Sequence, residues 1–317
     1  STAAPRSSNS SPSVLRAWRE AGGQCGEYFG WVPNDVVLWG SEAMLAEALA
    51  AGDLRIVSDG SYSDRVGTAA IQLLTSCGRH RLVARCQTPG RLEDQSAYRS
   101  ELIGLLSGVM LAEWLRQEWC PSIAPPPTVQ IGCDGLTALA QAFGDVFLSP
   151  TQAQFDVLST IHAWRASSPV HWRPRHVYGH QDRFATSLTW WELRNVECDA
   201  WAVDYRLSLS SAECLSPPNP RFYLEPAALF VGGVKHAQLD RAFLQAHVAL
   251  PELRKRWIKK QIETVTGTQF PGHWKATGHF FGKFIWKILY KNLDLKGGNT
   301  CLLYTSPSPR DKRQSRM

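Results

Sequence analysis

Four acidic residues stand where they could do chemistry: Asp59 in IVSDGSY, Glu101 in YRSELIGLL, Asp134 in VQIGCDGLTAL and Asp199 in NVECDAWA. Each ends an apolar run or falls early in a helical pattern. A carboxylate on a buried element is costly unless something neutralises it. Four that converge could hold two divalent cations, and paired metals suit phosphodiester cleavage. The donors are hard oxygens with no Cys or His set, which favours Mg²⁺ or Mn²⁺ over zinc. Taken singly, each residue has an ordinary reading. Asp59-Gly60 and Asp134-Gly135 could be turn chemistry, Glu101 a helix-surface charge, and Asp199 a favourable charge near a helix start. The inference therefore rests on the set.

The elements that must position these residues follow from patterning. LRIVSD (54–59), VGTAAIQLL (66–74) and RLVARCQ (81–87) read as three strands in a meander, with a hairpin turn at 76–80. Ser96–Glu118 reads as a long helix, with Leu102, Leu105, Leu106, Val109, Leu111 and Leu115 largely on one face and Glu101 at its edge. PSIAPPP (121–127) ends it. TVQIGC (128–133) is a fourth strand with Asp134 at its tip. LTALAQAF and TQAQFDVLSTIHAWRAS (151–167) read as helices. VHWRPRHVYG (170–179) is strand-like, and Pro174 places it at an edge or a bulge. A loop over 180–191 then leads to a helix beginning at Asn195. Three strands followed by alternating helices and strands imply an α/β fold: a mixed five-stranded sheet with helices on its faces.

The order and surroundings of these residues resemble the ribonuclease H family, of the type 1-like kind carried by retroelement polyproteins. The ordered motifs cover roughly residues 50–210, and Gly179-His180 precedes Asp199, with Asn195 four residues before it. The resemblance implies a ribonuclease H-like fold and hydrolysis of the RNA strand of an RNA–DNA hybrid with two Mg²⁺ ions, Mn²⁺ being an alternative. It implies that Asp59 bridges both metals, that Glu101 and Asp134 share one, and that Asp199 binds the other. One metal would supply hydroxide and the second would stabilise the leaving 3′ oxygen. His180 would assist proton transfer or product release, with Asn195 positioning its loop. A reverse transcriptase domain is the implied neighbour. The chain departs from the family in three places. Ser96-Ala97-Tyr98-Arg99 lacks the Asn that many cellular members carry before the helix Glu. Gly135 replaces a small polar residue, and the stretch from His180 to Asp199 is longer than in compact enzymes. Two other readings stay open: a catalytically inactive hybrid-binding module, and a transposase or integrase core of the same fold. The latter usually runs Asp, Asp, Glu, whereas here Glu101 falls between the two aspartates.

Charge divides the chain. Residues 1–234 hold 18 arginines, no lysine and 23 acids, whereas 235–300 hold 12 basic residues against 4 acids. This places a boundary near 215–235, with SPPNPRF (216–222) as linker. The expected organisation is a disordered start and lead-in over 1–50, a ribonuclease H-like domain over 51–212, a linker over 213–234, and a basic, mainly helical segment over 235–300. Residues ~40–215 should bury a core of their own. The basic segment, with RKRWIKKQIE (254–263) and FFGKFIWKILYKN (280–292), could face nucleic acid or be a solvated helix face. CLLYTSPSPRDKRQSRM (301–317) looks like a translated sequencing adapter, so the gene product is expected to continue past about Thr300. The listless spacing of the eight cysteines, with no C-x-x-C pair, suits reduced core thiols in a cytosolic or nuclear protein. No apolar run approaches the ~18 residues of a membrane span. Asp64, Asp182 and Asp204 read as solvated charges, and Trp190-Trp191 as a pair anchoring the loop.

Overall fold

A computed structural model describes residues 28, 31, 35–231 and 234–238. The expected disordered start, the basic segment beyond residue 238 and the adapter-like tail lie outside the described residues. The first strand, β1 (Asp35–Trp39), leads into helix α1 (Glu42–Ala50). The meander follows as β2 (Leu54–Ser63), β3 (Val66–Thr75) and β4 (Arg81–Gln87). Then come α2 (Ala97–Trp119), β5 (Thr128–Cys133), α3 (Leu136–Phe143), α4 (Phe155–Ser167), β6 (His171–His176) and α5 (Trp190–Ser208). A short helix α6 (Ser211–Leu215) and a hairpin of β7 (Leu229–Val231) and β8 (Val234–His236) complete the described chain.

The sheet runs β1-β4-β3-β2-β5-β6. The meander is antiparallel, whereas β5 joins β2, and β6 joins β5, in parallel. This is the ribonuclease H-like α/β arrangement, with one correction: the sheet has six strands, not five. The extra strand comes from the lead-in segment, where DVVLW pairs antiparallel with β4. Five residues flanked by aromatics carry little pattern of their own, and the partner lies over 40 positions away, so tertiary pairing rather than local propensity makes this strand. Pro174 sits on the outermost strand, paired with Ile131, where its missing N–H costs no ladder bond.

The two sheet faces are covered differently. Strand side chains alternate between faces. Ile56, Ala69 and Ile71 join the large core under α1–α4, whereas their neighbours Val57 and Ala70 join a smaller core with Trp191, Cys198 and Ala202 of α5. β3 is buried along its whole length. Each fully buried Leu or Ile in the larger core contributes about 1.5–3 kcal/mol, enough to hold the edge where β2 and β5 meet. The Cys77, Cys86, Cys120, Cys133, Cys198 and Cys214 thiols are free.

Several boundaries differ from the patterns. β2 does not stop at Asp59 but continues to Ser63, and the turn falls at Asp64-Arg65, both with positive φ (53° and 65°). Two left-handed residues between paired Ser63 and Val66 make the tight hairpin that matches strand twist. α4 starts at Phe155 rather than Thr151. α5 starts at Trp190, because Thr189 and Glu192 form a reciprocal capping box. Asn195 is therefore inside the helix, and Asp199 stands mid-helix rather than near its start.

The stretch expected as a linker lies against the domain. Gly90 donates its N–H to Pro218 O at 2.7 Å, and Phe222 is buried edge-on against Trp31. Beneath it four charges are sealed from solvent. Arg99 on α2 donates twice to Asp156 on α4, at 2.9 Å each. Lys235 on β8 reaches Asp156 at 3.2 Å and Glu225 at 3.0 Å. Burial opposes the charge on Asp156, but Arg99 and Lys235 outweigh it and hold that carboxyl below its ordinary value. Removing one member of a balanced buried cluster leaves an uncompensated charge, costing about 3–5 kcal/mol. Lys235→Met should therefore lower the free energy of unfolding, read by urea titration, by an amount in that range. A loss under about 1 kcal/mol would show that the cluster does not hold the segment in place.

Candidate metal centre

Asp59 occupies the sixth position of β2, and Asp134 directly follows the last residue of β5, the parallel neighbour. The two carboxylates are thus brought to one edge by strand pairing alone. Glu101 arrives from α2, whose first turn crosses β2 at Gly60. A Cβ at Gly60 would lie 2.7 Å from both Glu101 N and the Ser100 carbonyl carbon, so only glycine admits the helix this close. Asp199 comes from the opposite face, on α5. All four sequence-derived acids therefore share one region, and the charges of Glu101, Asp134 and Asp199 all act on Asp59.

The site is graded from buried to open. Asp59 is 4% exposed, whereas the Asp199 and His180 side chains are 30% and 49% exposed, which puts the entrance on the His180 side. His180 Nδ1 stands 3.4 Å from Asp199 Oδ2. His180 has positive φ and precedes a single 3-10 turn, Gln181–Arg183. Glu101, Cys133 and Asp134 each offer a ligand atom within 4.8 Å of the others.

Asn195, expected to position the His180 loop, meets Asp59. Its Nδ2 donates to Asp59 Oδ2 at 3.0 Å, while Asp59 Oδ1 accepts the Gly60 N–H at 2.7 Å. The asparagine is 1% exposed, and its Oδ1 has no hydrogen-bond partner. Two further contacts carried no signal in the residue pattern. The buried Cys133 thiol donates to Glu101 Oε2 at 2.8 Å and accepts the Gly135 N–H. His176 Nε2 lies 3.1 Å from Asp134 O. A lone Cys at the end of a strand reads as core, and its role appears only once α2 is docked. Trp190 and Trp191 pack edge to face in the first turn of α5. Asp204 is the exposed helix charge expected, its side chain pairing with Arg85 at 2.7 Å.

Electrostatics follow from this crowding. Burial, then the charges of Glu101, Asp134 and Asp199, raise Asp59 well above its ordinary value. Burial and Asp134 push Glu101 up to about 8. Asp134 is raised by burial, partly opposed by His180. A cluster that resists its own ionisation at neutral pH fits bound cations, which would remove the penalty. The oxygen donors and the unpartnered Asn195 amide oxygen are of the hard class that Mg²⁺ and Mn²⁺ prefer.

Among solved structures, the chain is similar to LC11-RNase H1 in complex with RNA/DNA hybrid, at 12% identity and a TM-score of 0.34, covering 49% of this chain and 99% of that one. It is similar to the N-terminal RNase H domain of a Mycobacterium tuberculosis protein, at 14% identity and a TM-score of 0.30, covering 47% and 97%. RNase H1 from the halophilic archaeon Halobacterium salinarum gives 11% identity and a TM-score of 0.30, covering 48% and 98%. No protein-family model matches the chain, and no curated protein matches it.

Two outcomes test the geometry. The folded site keeps protons that the unfolded chain releases above about pH 4.5, so stability should fall as pH rises from there towards about 8. The metal-free protein should show a declining Tm over that window. Mg²⁺ should raise Tm most at its alkaline end, and Glu101→Gln should flatten the slope. A Tm that climbs with pH in chelator, unaltered by Glu101→Gln, would contradict the crowding. Asn195→Ala leaves Asp59 without its helix-borne donor, and loss of such an orienting partner costs about 10–100-fold in metal affinity. Mn²⁺ titration followed by calorimetry should read that loss with the fold intact by circular dichroism.

Proposed function

We propose that this chain is a metal-dependent endonuclease that hydrolyses the RNA strand of RNA–DNA hybrids, as part of a retroelement polyprotein with a reverse transcriptase domain as neighbour. The observation that carries the catalytic part is the convergence of Asp59, Glu101, Asp134 and Asp199 on one sheet edge. The choice of hybrid and the retroelement setting rest on the resemblance of the ordered residues to that family.

In this reading Asp59, Glu101, Asp134 and Asp199 hold two Mg²⁺ ions. Divalent cations there would supply charge neutralisation at the phosphate and acidify the attacking water. The remaining work falls to the chain. Asn195 and the Gly60 N–H fix both oxygens of Asp59, leaving its free lone pairs directed by geometry set before substrate arrives. The Cys133 thiol holds one oxygen of Glu101 in the same way. Such preorganisation avoids reorganisation at the moment of reaction. His180, half-exposed at the mouth and close to Asp199, would carry a proton to the departing oxygen or to solvent. The enclosed floor around Asp59 keeps bulk water from the buried carboxylates.

The test is cleavage of a hybrid labelled on each strand in turn, with Mg²⁺, beside Asp59→Asn. RNA-strand cutting with 5′-phosphate and 3′-hydroxyl products, abolished in the variant and in chelator, is the expected result. A folded protein that binds hybrid equally with and without Mg²⁺ and never cuts it would replace this reading with a binding module. Joining of DNA ends without hybrid cleavage would replace it with a strand-transfer enzyme.

A further inference from the structure

On the α5 face of the sheet, below the carboxylates, three arginines gather without an acid. Arg55 on β2 stacks over Trp190 and Trp191, its guanidinium carbon 4.9 and 5.8 Å from the ring centroids. Arg175 on β6 stacks over Trp191 from the other side of β5, at 5.1 Å. Two guanidiniums therefore share one indole. Arg173 precedes Arg175 by two residues, so alternation puts it on the same face. Arg173 pairs in register with Gln130, and Gln130 with Arg55, so the first and third arginines flank one residue row. Among the described residues, no carboxylate lies within ion-pair distance of Arg55, Arg173 or Arg175. The Arg55 Nε is buried with no hydrogen-bond partner.

This arrangement is built rather than incidental. Trp191 reaches between the arginines only because β5 carries Gly132 beneath it, where a Cβ would lie 2.8 Å from the indole. Six other arginines of the domain, Arg81, Arg85, Arg91, Arg99, Arg116 and Arg194, meet carboxylates instead. Like charges converging on one ring without a counter-charge gain most from an anion that accepts from planar donors, and phosphate is the anion that arginine forks fit best.

The register also relates the trio to the metal centre. Val57 and Asp59 continue the row of Arg55 on β2, and Val177 continues that of Arg175 on β6, on the face that α5 covers. At about 3.3 Å per residue, Arg55 lies about 13 Å along β2 from Asp59, and Arg175 about 7 Å along β6 from the level of Asp134. Arg173 and Arg175 are exposed on the outermost strand. We infer that Arg173, with Arg55 and Arg175 stacked on Trp190 and Trp191, forms a binding site for a backbone phosphate of nucleic acid on the sheet face that Asp59 and Asp199 share. For its occupant the inference rests on the nucleic-acid reading above. Its work would be to position the strand rather than to cut it.

The experiment measures binding of the full chain to RNA–DNA hybrid in chelator across a salt series, so cleavage is not needed. Arg173→Ala/Arg175→Ala touches only exposed positions on an edge strand. Arg221→Ala removes one charge near Tyr28, on the layer away from α5. Each phosphate contact adds about 0.9 to the slope of log K against log salt. The double variant should weaken hybrid binding at low salt and flatten that slope by about one to two. Arg221→Ala should leave both unchanged. In Mg²⁺, the double variant should raise KM more than it lowers kcat. Unchanged affinity and slope in the double variant, beside intact wild-type binding, would overturn the arginine site alone. An equal effect from Arg221→Ala would overturn it too, by showing only net charge. A wild-type chain that binds no hybrid would overturn the site together with the reading it rests on.

Discussion

Mutual repulsion among buried carboxylates is the constraint around which the rest of the structure is organised. Asp59 is nearly sealed, Glu101 and Asp134 are half-buried, and each is pushed towards its neutral form first by burial and then by a neighbouring carboxylate. No chain would hold that arrangement unless surrounding elements forced it. Parallel pairing of β2 with β5 brings two acids together. Gly60 lets α2 bring the third, and α5 closes from the other face with the fourth. The forcing energy comes from the apolar core under α2, where Leu102, Leu105, Leu106 and Val109 are fully buried. A few kcal/mol of local repulsion is set against many buried side chains worth about 1.5–3 kcal/mol each.

Polar contacts at the centre share a logic. Asn195 and the Gly60 N–H take one lone pair from each oxygen of Asp59, and the Cys133 thiol takes one from Glu101. All three donors are neutral. A lysine or arginine in their place would quench the negative charge and leave nothing for a cation to neutralise. Neutral donors fix orientation while preserving the field, which is the division of labour expected of partners around metal ligands.

Much of this was legible beforehand because the strongest patterns coincide with the site. The meander and the long amphipathic helix repeat their periods over many residues, so their existence and order could be read. The four acids fall at positions those elements bring together. What could not be read has a common cause. β1 is a strand only because β4 lies beside it. Thr189 outcompetes Asn195 as a helix cap because Glu192 completes its box, and that shift moves Asp199 from a helix start to its middle. The Cys133 and Asn195 contacts join residues 32 and 136 positions from their partners, and local pattern carries no information at such range. Phe222 and Lys235 look like linker and basic tail in composition, yet both are buried.

The molecule handles charge in three ways, and the contrast separates scaffold from function. Arg99, Asp156, Glu225 and Lys235 form a closed set of two basic and two acidic side chains, sealed from water and paired with one another. Such a set specifies packing and needs nothing from outside. The carboxylate centre is all of one sign and opens to solvent at His180. The arginine trio is all of the other sign, with Arg55 and Arg175 held on indoles instead of acids. The trio lies on the α5 side of the sheet, the side of Asp59 and Asp199, in registers a few residues from them. With divalent cations on the carboxylates, a ligand that engaged both would present phosphate groups at more than one point along a line, as a nucleic-acid backbone does and an isolated phosphate does not. The balanced cluster, by contrast, sits under the opposite layer, where it can fix the start of α2, and so Glu101, without competing for that ligand.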